Sequence, residues 1–214
     1  MNLHRYYRLH APIYDWTRWS FLFGRQELVE RLARGPAPSR LLEIGCGTGA
    51  NLLALAQSFP QAQLSGMDLS EHMLRRARKK LARFGDRIRL FQGRYPEDEA
   101  FLGAERPFDL IVFSYTLTMF GDGWRPALAA ARNALSTRGE VAAIDFHESR
   151  LPGFRRWMSL NHVRVEGHLF PALTARFAAR HSEVRSAFWG AWTYFLFIGA
   201  PAGKENRLGR QDST

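Results

Sequence analysis

The sequence predicts an α/β fold: a doubly wound, mostly parallel seven-stranded sheet that ends in an antiparallel C-terminal hairpin. Three observations predict it. A short apolar run, Leu41-Leu42-Glu43-Ile44, stops at Gly45, Gly47 and Gly49 and gives way to an Ala/Leu-rich helical pattern. Further short apolar runs then alternate with helical patterns, the order expected of a parallel sheet with helices on its faces. Finally, two aromatic-rich runs, Ser186–Gly190 and Trp192–Gly199, read as the closing hairpin. Together these make a Rossmann-like arrangement.

The glycine loop comes first in the argument. Gly45 and Gly47 can adopt positive φ and bring main-chain N–H groups close to a ligand, and Gly49 lets the helix begin close to its strand. No Gly-Lys-Ser/Thr follows, so the loop is not a phosphate-binding P-loop. Leu52 to Phe59 is the first core helix, stopped at Pro60. The second strand, Ala62 to Met67, ends at Asp68-Leu69-Ser70, about twenty residues beyond the glycines; a carboxylate there is placed to take both hydroxyls of a ribose. Ser70 reads as the N-cap of the next helix, with Met73 in its first turn. That helix carries Arg75, Arg76, Arg78, Lys79, Lys80 and Arg83, read first as a solvated face and second as an anion-binding stripe.

The third strand is read at Arg87–Gln92 and is followed by the Gly93-Arg94-Tyr95 loop. Phe108–Phe113 is a continuous apolar run, as a buried parallel strand requires, and its tip carries Ser114 and Tyr115. Trp124 to Leu135 is helical, Ser136–Gly139 reads as a turn, and Glu140–His147 is the fifth strand, with His147 at the ligand-binding rim. Leu151 to Pro171 is rich in Arg, Trp and His, has poor periodicity, and is read as an acceptor wall.

Composition sets the outer bounds. The 214 residues suit one domain of ordinary core size, and 46% hydrophobic with 23% charged residues is globular. The expected division is an aromatic and basic cap over residues 1–34, a single domain over 35–203 and a polar tail over 204–214. No apolar run reaches the length of a membrane span, and no leader pattern opens the chain, so the cytoplasm is the expected compartment. Cys46 is the single cysteine, which excludes an internal disulfide or a cysteine-based metal cluster; it reads as a small apolar member of the loop. No metal site is expected. The net charge of +10 implies an anionic partner. In Tyr6–Arg25, arginines alternate with Trp16, Trp19, Phe21 and Phe23, which suits either a cap packed on the core or contact with an anionic membrane surface from the inner, cytoplasmic face.

The set Glu-x-Gly-x-Gly-x-Gly at Glu43–Gly49, joined to Asp68-x-Ser70, resembles the signature of class I S-adenosylmethionine-dependent methyltransferases. The similarity covers Leu41 to about Phe146. It implies S-adenosyl-L-methionine as methyl donor, held by Glu43, Gly45, Cys46, Gly47 and Gly49 from the loop, and by Asp68, Leu69 and Met73 from the second strand and its helix. Gly93, Arg94 and Tyr95 would flank the adenine, and Ser114 and Tyr115 the far side. The family often places Asp where Arg94 stands; Arg94 cannot accept a hydrogen bond, so main-chain groups or the Tyr95 ring are expected to substitute. A second resemblance lies in Tyr-Tyr-x-x-His-Ala-x-Ile-Tyr-Asp-x-Thr-Arg-Trp-Ser-Phe-Leu-Phe-Gly-Arg over Tyr6–Arg25, with further support from Asn161 to Pro171. It is similar to the N-methyltransferases of betaine-lipid synthesis, which trimethylate the amine of diacylglyceryl-homoserine. That resemblance implies an amine-bearing lipid acceptor; toward it Tyr6 and Tyr14 are expected to line the donor methyl, His147, at its strand tip, to assist amine deprotonation, and Arg18 to pair with a carboxylate, either of the cofactor's methionine tail or of the homoserine headgroup.

Competing readings stay in view. A dinucleotide-binding enzyme would use the same loop. A nucleic-acid methyltransferase would use the positive charge, but Ser114-Tyr115-Thr116-Leu117 stands where base-methylating enzymes carry Asn/Asp-Pro-Pro-aromatic, so no nucleic-acid partner is expected. A metal-dependent catechol-type enzyme would need clustered oxygen ligands. Methylation of another small molecule or phospholipid headgroup, aminocarboxypropyl transfer, and a non-catalytic lipid-binding subunit complete the set.

Overall fold

The computed structural model describes residues 23–160 and 163–202. Tyr6, Tyr14, Arg18 and Asn161, and the tail, lie outside the described residues. Seven strands form one sheet in the order β3-β2-β1-β4-β5-β7-β6. They are β1 Arg40–Ile44, β2 Gln63–Asp68, β3 Ile88–Gln92, β4 Phe108–Ser114, β5 Leu135–Ser149, β6 Phe177–Ala187 and β7 Trp192–Pro201. The first five are parallel, and β7 runs antiparallel between β5 and β6. Strand order reverses between β1 and β4, where Leu41 pairs with Leu110 and Ile44 with Phe113. Ligands bind at such a reversal, outside the carboxyl ends of the strands.

Alternation along the strands builds two cores. Leu41, Leu110, Val112, Ile144, Leu196 and Ile198 face helices α1 (Arg25–Ala33), α2 (Ala50–Ser58) and α3 (Glu71–Leu81). Leu42, Ile111, Phe113, Ala143, Phe195 and Phe197 face α4 (Trp124–Ala134) and α6 (Leu169–Thr174). Between the last two helices in sequence lies α5 (Pro152–Leu160), a surface helix with only Met158 buried.

Four sequence expectations need correction. Ser136–Gly139 is part of β5 rather than a turn: Leu135 already pairs with Phe108, and Ser136 Oγ donates to Asp109 Oδ1 at 2.8 Å. The first hairpin strand is Phe177–Ala187, not Ser186–Gly190. As an edge strand with largely solvent-exposed residues, it carries no apolar run to betray it. Segment 151–171, read as irregular, contains α5 and the first half of α6. Arg87 stands before β3, because its guanidinium is drawn to the end of α2, where Nη1 donates to Phe59 O and Nη2 to Ala56 O at 2.9 and 2.8 Å. It thereby satisfies carbonyls that a helix end leaves without partners.

The basic face of α3 is solvated and partly paired, with Arg78 donating to Glu71 at 2.7 Å and Lys80 to Thr48 Oγ1 at 3.3 Å. Helix α1 is held to the sheet edge by a charged cluster in which Arg31 contacts Glu27 and Glu183, and Arg185 contacts Glu27 and Glu183. That anchorage matters for the site, because α1 begins at its rim.

Candidate active site

The tips of β1, β2 and β4 converge on the glycine loop. Gly45 N and Cys46 N both donate to Met67 O, at 2.7 and 3.1 Å, so the loop is laid against the end of β2. Gly45, Gly47 and Gly49 all have positive φ, as expected. A Cβ on Gly45 would come within 2.4 Å of Thr116 Cγ2, and one on Gly49 within 2.8 Å of the Leu81 side chain. Glycine is therefore demanded twice over at these positions, by backbone conformation and by close approach.

Asp68 sits beside this loop. Its Oδ2 accepts from Gly47 N at 2.8 Å and its Oδ1 from Ser70 N at 2.9 Å. These two bonds fix the carboxylate at the tip of β2 beside the loop. Ser70 caps α3 as expected, accepting from Met73 N at 3.4 Å. Met73 itself is buried in the core, and Leu69 is half-buried with its carbonyl accepting from Gln92 Nε2. Cys46 is buried, and burial pushes its thiol well above the ordinary range, so it is an inert apolar group in the loop.

Glu43 is the most telling group. It is 1% exposed, and its Oε1 accepts from Asn51 Nδ2 at 2.9 Å. Its Oε2 is buried with no hydrogen-bond partner among the described residues. Burial raises its pKa to about 7, against the lowering effects of the Asn51 hydrogen bond and the Arg25 charge. A buried, half-satisfied carboxylate is costly in a ligand-free protein. A ligand cation would satisfy it.

Arg25 and Asn51 are site residues that sequence reasoning missed. Arg25, read as one of several headgroup-facing arginines, instead turns inward at the start of α1. Its Nε donates to Ser114 Oγ at 3.0 Å, and its guanidinium lies 5.7 Å over the Tyr115 ring. Nothing in the local sequence separates it from Arg5 or Arg8. Asn51 had a signal: a polar residue in the first turn of an otherwise Ala/Leu helix, directly after the glycines. Tyr115 has a φ of 55°, and its buried hydroxyl donates to Phe23 O at 2.8 Å, tying the strand tip to the chain entering α1.

The adenine side differs from expectation in detail. Arg94 is exposed, and its amide donates to Asp98 Oδ2 at 2.8 Å, so that N–H is committed within the loop. The Tyr95 ring is buried in the core edge-on to Phe113, and it offers no face to the rim. Gly93 N donates to Asp68 O at 3.1 Å, which keeps the loop beside Asp68. His147 also sits away from the loop. Alternation puts Phe146 on the Glu43 face of the sheet and His147 on the other, packed against Phe170 and Phe195 with Nδ1 buried and unpartnered. A hollow of about 240 Å³ lies at the amino ends of β1 and β4, between Pro36, Asp109 and Arg138, remote from the glycines. Asp109 there is committed to the Ser39 and Arg40 amides and to Ser136, so it serves the fold.

The arrangement was compared with known proteins. Residues 42–141 match a family model described as a methyltransferase domain. The biotin biosynthesis bifunctional protein BioCD of Bordetella avium is 35% identical over 155 residues, 72% of this chain and 31% of that protein. Release factor glutamine methyltransferase of Geobacter sulfurreducens is 30% identical over 132 residues, 61% of this chain and 45% of that protein. The chain therefore spans less than half the length of either relative. N-methyltransferase NodS from Bradyrhizobium japonicum, in complex with S-adenosyl-L-homocysteine, shares the fold with a TM-score of 0.66 at 22% identity, over 84% of this chain and 86% of that one.

Residues 42–141 thus match a methyltransferase-domain model, and their glycine loop and sheet order resemble those of the S-adenosylmethionine-dependent kind. The residues present fit that donor. Gly45 and Gly49 leave main chain bare where a Cβ would clash, Asp68 sets a carboxylate at the end of β2 beside them, and the orphaned oxygen of Glu43 suits an ammonium.

Proposed function

We propose that the chain is an S-adenosylmethionine-dependent N-methyltransferase whose acceptor is the amine of a lipid headgroup of the diacylglyceryl-homoserine type. The observation that carries the donor half is the unpartnered buried oxygen of Glu43, set beside Asp68 and within the field of Arg25. In this reading Glu43 holds the donor's ammonium, Asp68 its ribose, and Arg25 its carboxylate, the last displacing or sharing the Ser114 bond. The donor supplies an activated methyl on sulfur. The chain's own contribution is alignment and exclusion of water, since an in-line displacement needs nucleophile, carbon and leaving group in one line.

The acceptor half is supported by the resemblance of Tyr6–Arg25 to the betaine-lipid enzymes and by where that segment ends. Phe23 and Arg25, at the described end of that segment, are bonded to Tyr115 and Ser114 at the tip of β4. Tyr6 and Tyr14 keep the proposed roles of lining the methyl and holding a methylated cation against ring faces. Arg18 keeps its proposed role toward a carboxylate, that of the donor's methionine tail or of the headgroup. His147 faces the other side of the sheet and is not assigned the proton. The amine, with a free pKa of about 10, is neutralised in this reading by desolvation as it enters the site.

The test is incubation of the full chain with methyl-labelled S-adenosylmethionine and diacylglyceryl-homoserine in detergent micelles, read by mass spectrometry. Mono-, di- and trimethylated lipid are expected. Label appearing on a water-soluble amine or on RNA, and none on the lipid, would reassign the acceptor while leaving the donor site intact.

A further inference from the structure

We propose that the face built by the β6–β7 turn and helix α5 seats the protein on an anionic lipid bilayer. Trp189, Trp157 and Leu160 would enter the boundary between headgroups and acyl chains, and Arg150, Arg155 and Arg156 would meet lipid phosphates. These are different residues from the aromatic and basic segment at the N-terminus.

The turn is the starting point. Trp189 is 102% exposed, and both it and Phe188 adopt left-handed backbone, with φ of 54° and 46°. Bulky residues rarely adopt that conformation, so the turn holds an indole out to solvent at a conformational cost. A side chain so placed adds nothing to the packing of the fold. Trp is, however, the residue type that gathers at membrane–water boundaries, where its ring is apolar and its N–H is wet.

The exposed apolar surface continues from there. Among the described residues, eight large hydrophobic side chains are exposed, and six of them lie at this end: Phe23, Leu151, Trp157, Leu160, Phe188 and Trp189. Ring contacts make them one surface. Phe188 packs on Trp192 at 4.6 Å, Trp192 stacks on Phe154 of α5 at 4.8 Å, and Phe154 meets Trp157 at 5.9 Å. Phe154 and Met158, four apart, face the body of the protein, while Trp157 and Leu160, three apart, face outward. A helix with its outward stripe apolar suits a surface that is itself apolar below a polar layer.

Charge selects the occupant. Residues 150–160 carry three arginines and no acidic residue, and residues 184–202 carry Arg185 and no acidic residue. Arg150, Arg155 and Arg156 are all exposed. Arg185 is paired with Glu27 and Glu183 and exposed Glu148 adjoins Thr193, so the cations offered to anionic headgroups are Arg150, Arg155 and Arg156, in keeping with the net charge of +10. The patch also adjoins the candidate site, because Phe23 contacts Phe188 at 5.3 Å and its carbonyl accepts from Tyr115. Docking there would bring headgroups to the rim, but it does not depend on the lipid being the acceptor.

The test is co-sedimentation of the full chain with vesicles of phosphatidylcholine containing about 30% phosphatidylglycerol, and with pure phosphatidylcholine vesicles. Trp189→Ser and Arg155→Gln/Arg156→Gln are compared with the parent, each checked for unchanged melting temperature and donor affinity. The parent is expected to pellet with the anionic vesicles, and each variant to need about tenfold more lipid for half-binding. Added salt should weaken the parent and affect the double-arginine variant less. Variants that bind like the parent, or a parent that stays in the supernatant, would overturn the proposal. So would a Trp189→Ser variant that changes the number of chains in solution, since the face would then belong to a second copy. Methyl transfer to micellar acceptor separates the two readings: docking without transfer removes the lipid acceptor alone, and transfer without docking removes the surface alone.

Discussion

Two buried carboxylates, Glu43 at the end of β1 and Asp145 near the end of β5, make an instructive pair. Both are held almost entirely out of water, and burial is the largest influence on each, raising Glu43 to about 7 and Asp145 to about 6. They differ in their partners. Asp145 accepts from Thr118 Oγ1 at 2.6 Å, Thr118 N at 3.1 Å and Phe146 N at 2.8 Å. It pins the short 3₁₀ turn Leu117–Met119, just past the tip of β4, onto β5. Glu43 has Asn51 and a spare oxygen. The first carboxylate completes the fold, whereas the second leaves a charge that a ligand can complete. Burial alone does not mark a binding residue, and neither does an unmet bond alone, as His147 shows; at Glu43 the unmet carboxylate oxygen lies beside the glycine loop and Asp68.

The largest expected effect tests the satisfied member. Asp145→Ala strands the Thr118 and Phe146 amides and should cost about 3 kcal/mol of stability, read by urea unfolding. A loss under about 1 kcal/mol would show the turn is held by packing instead. Next comes Arg25→Ala, expected to weaken donor binding about thirtyfold by calorimetry, since a charge-assisted bond to a carboxylate is lost. An unchanged affinity would return Arg25 to a purely structural role.

Glu43→Gln sharpens the contrast more finely. Donor affinity should fall about tenfold, while the ligand-free protein keeps or gains stability at neutral pH. The sign follows from the raised pKa. A carboxyl that titrates at 4.5 unfolded and at about 7 folded is favourable to folding below pH 4.5, and that advantage is lost as pH rises toward 7. Donor binding runs the other way, because the ammonium needs the ionised form. Parent affinity should therefore rise about tenfold between roughly pH 5.5 and 7, and the Gln variant should lose that rise. A parent profile flat over that range would remove Glu43 from ammonium binding. The smallest effect is expected at the exposed Arg78–Glu71 pair, where Arg78→Ala should change stability by less than about 1 kcal/mol.

Much of the site was legible in contiguous residues. The three glycines announced positive φ, Asp68 followed one strand later, and Ser70 was the cap it resembled. Cys46 behaved as a small apolar group. The parts that were not legible share a cause: their partners are distant in sequence. Arg25 meets Ser114 across 89 residues, and nothing near Arg25 records that bond. Tyr95 and His147 carry chemistry that suits a site, but their rings were claimed by packing against Phe113 and against Phe170 and Phe195. β6 escaped because an exposed edge strand has no inward apolar run to display.

The sequence by itself determined the alternation of strand and helix, the bare glycine turn and the carboxylates beside it. Period and backbone conformation are local demands, and local residues must meet them. Which arginine turns inward, which buried acid keeps a free oxygen and where the exposed indole emerges were decided only by tertiary structure. Those outcomes depend on which faces meet once the sheet closes, and on how much water each group loses when they do.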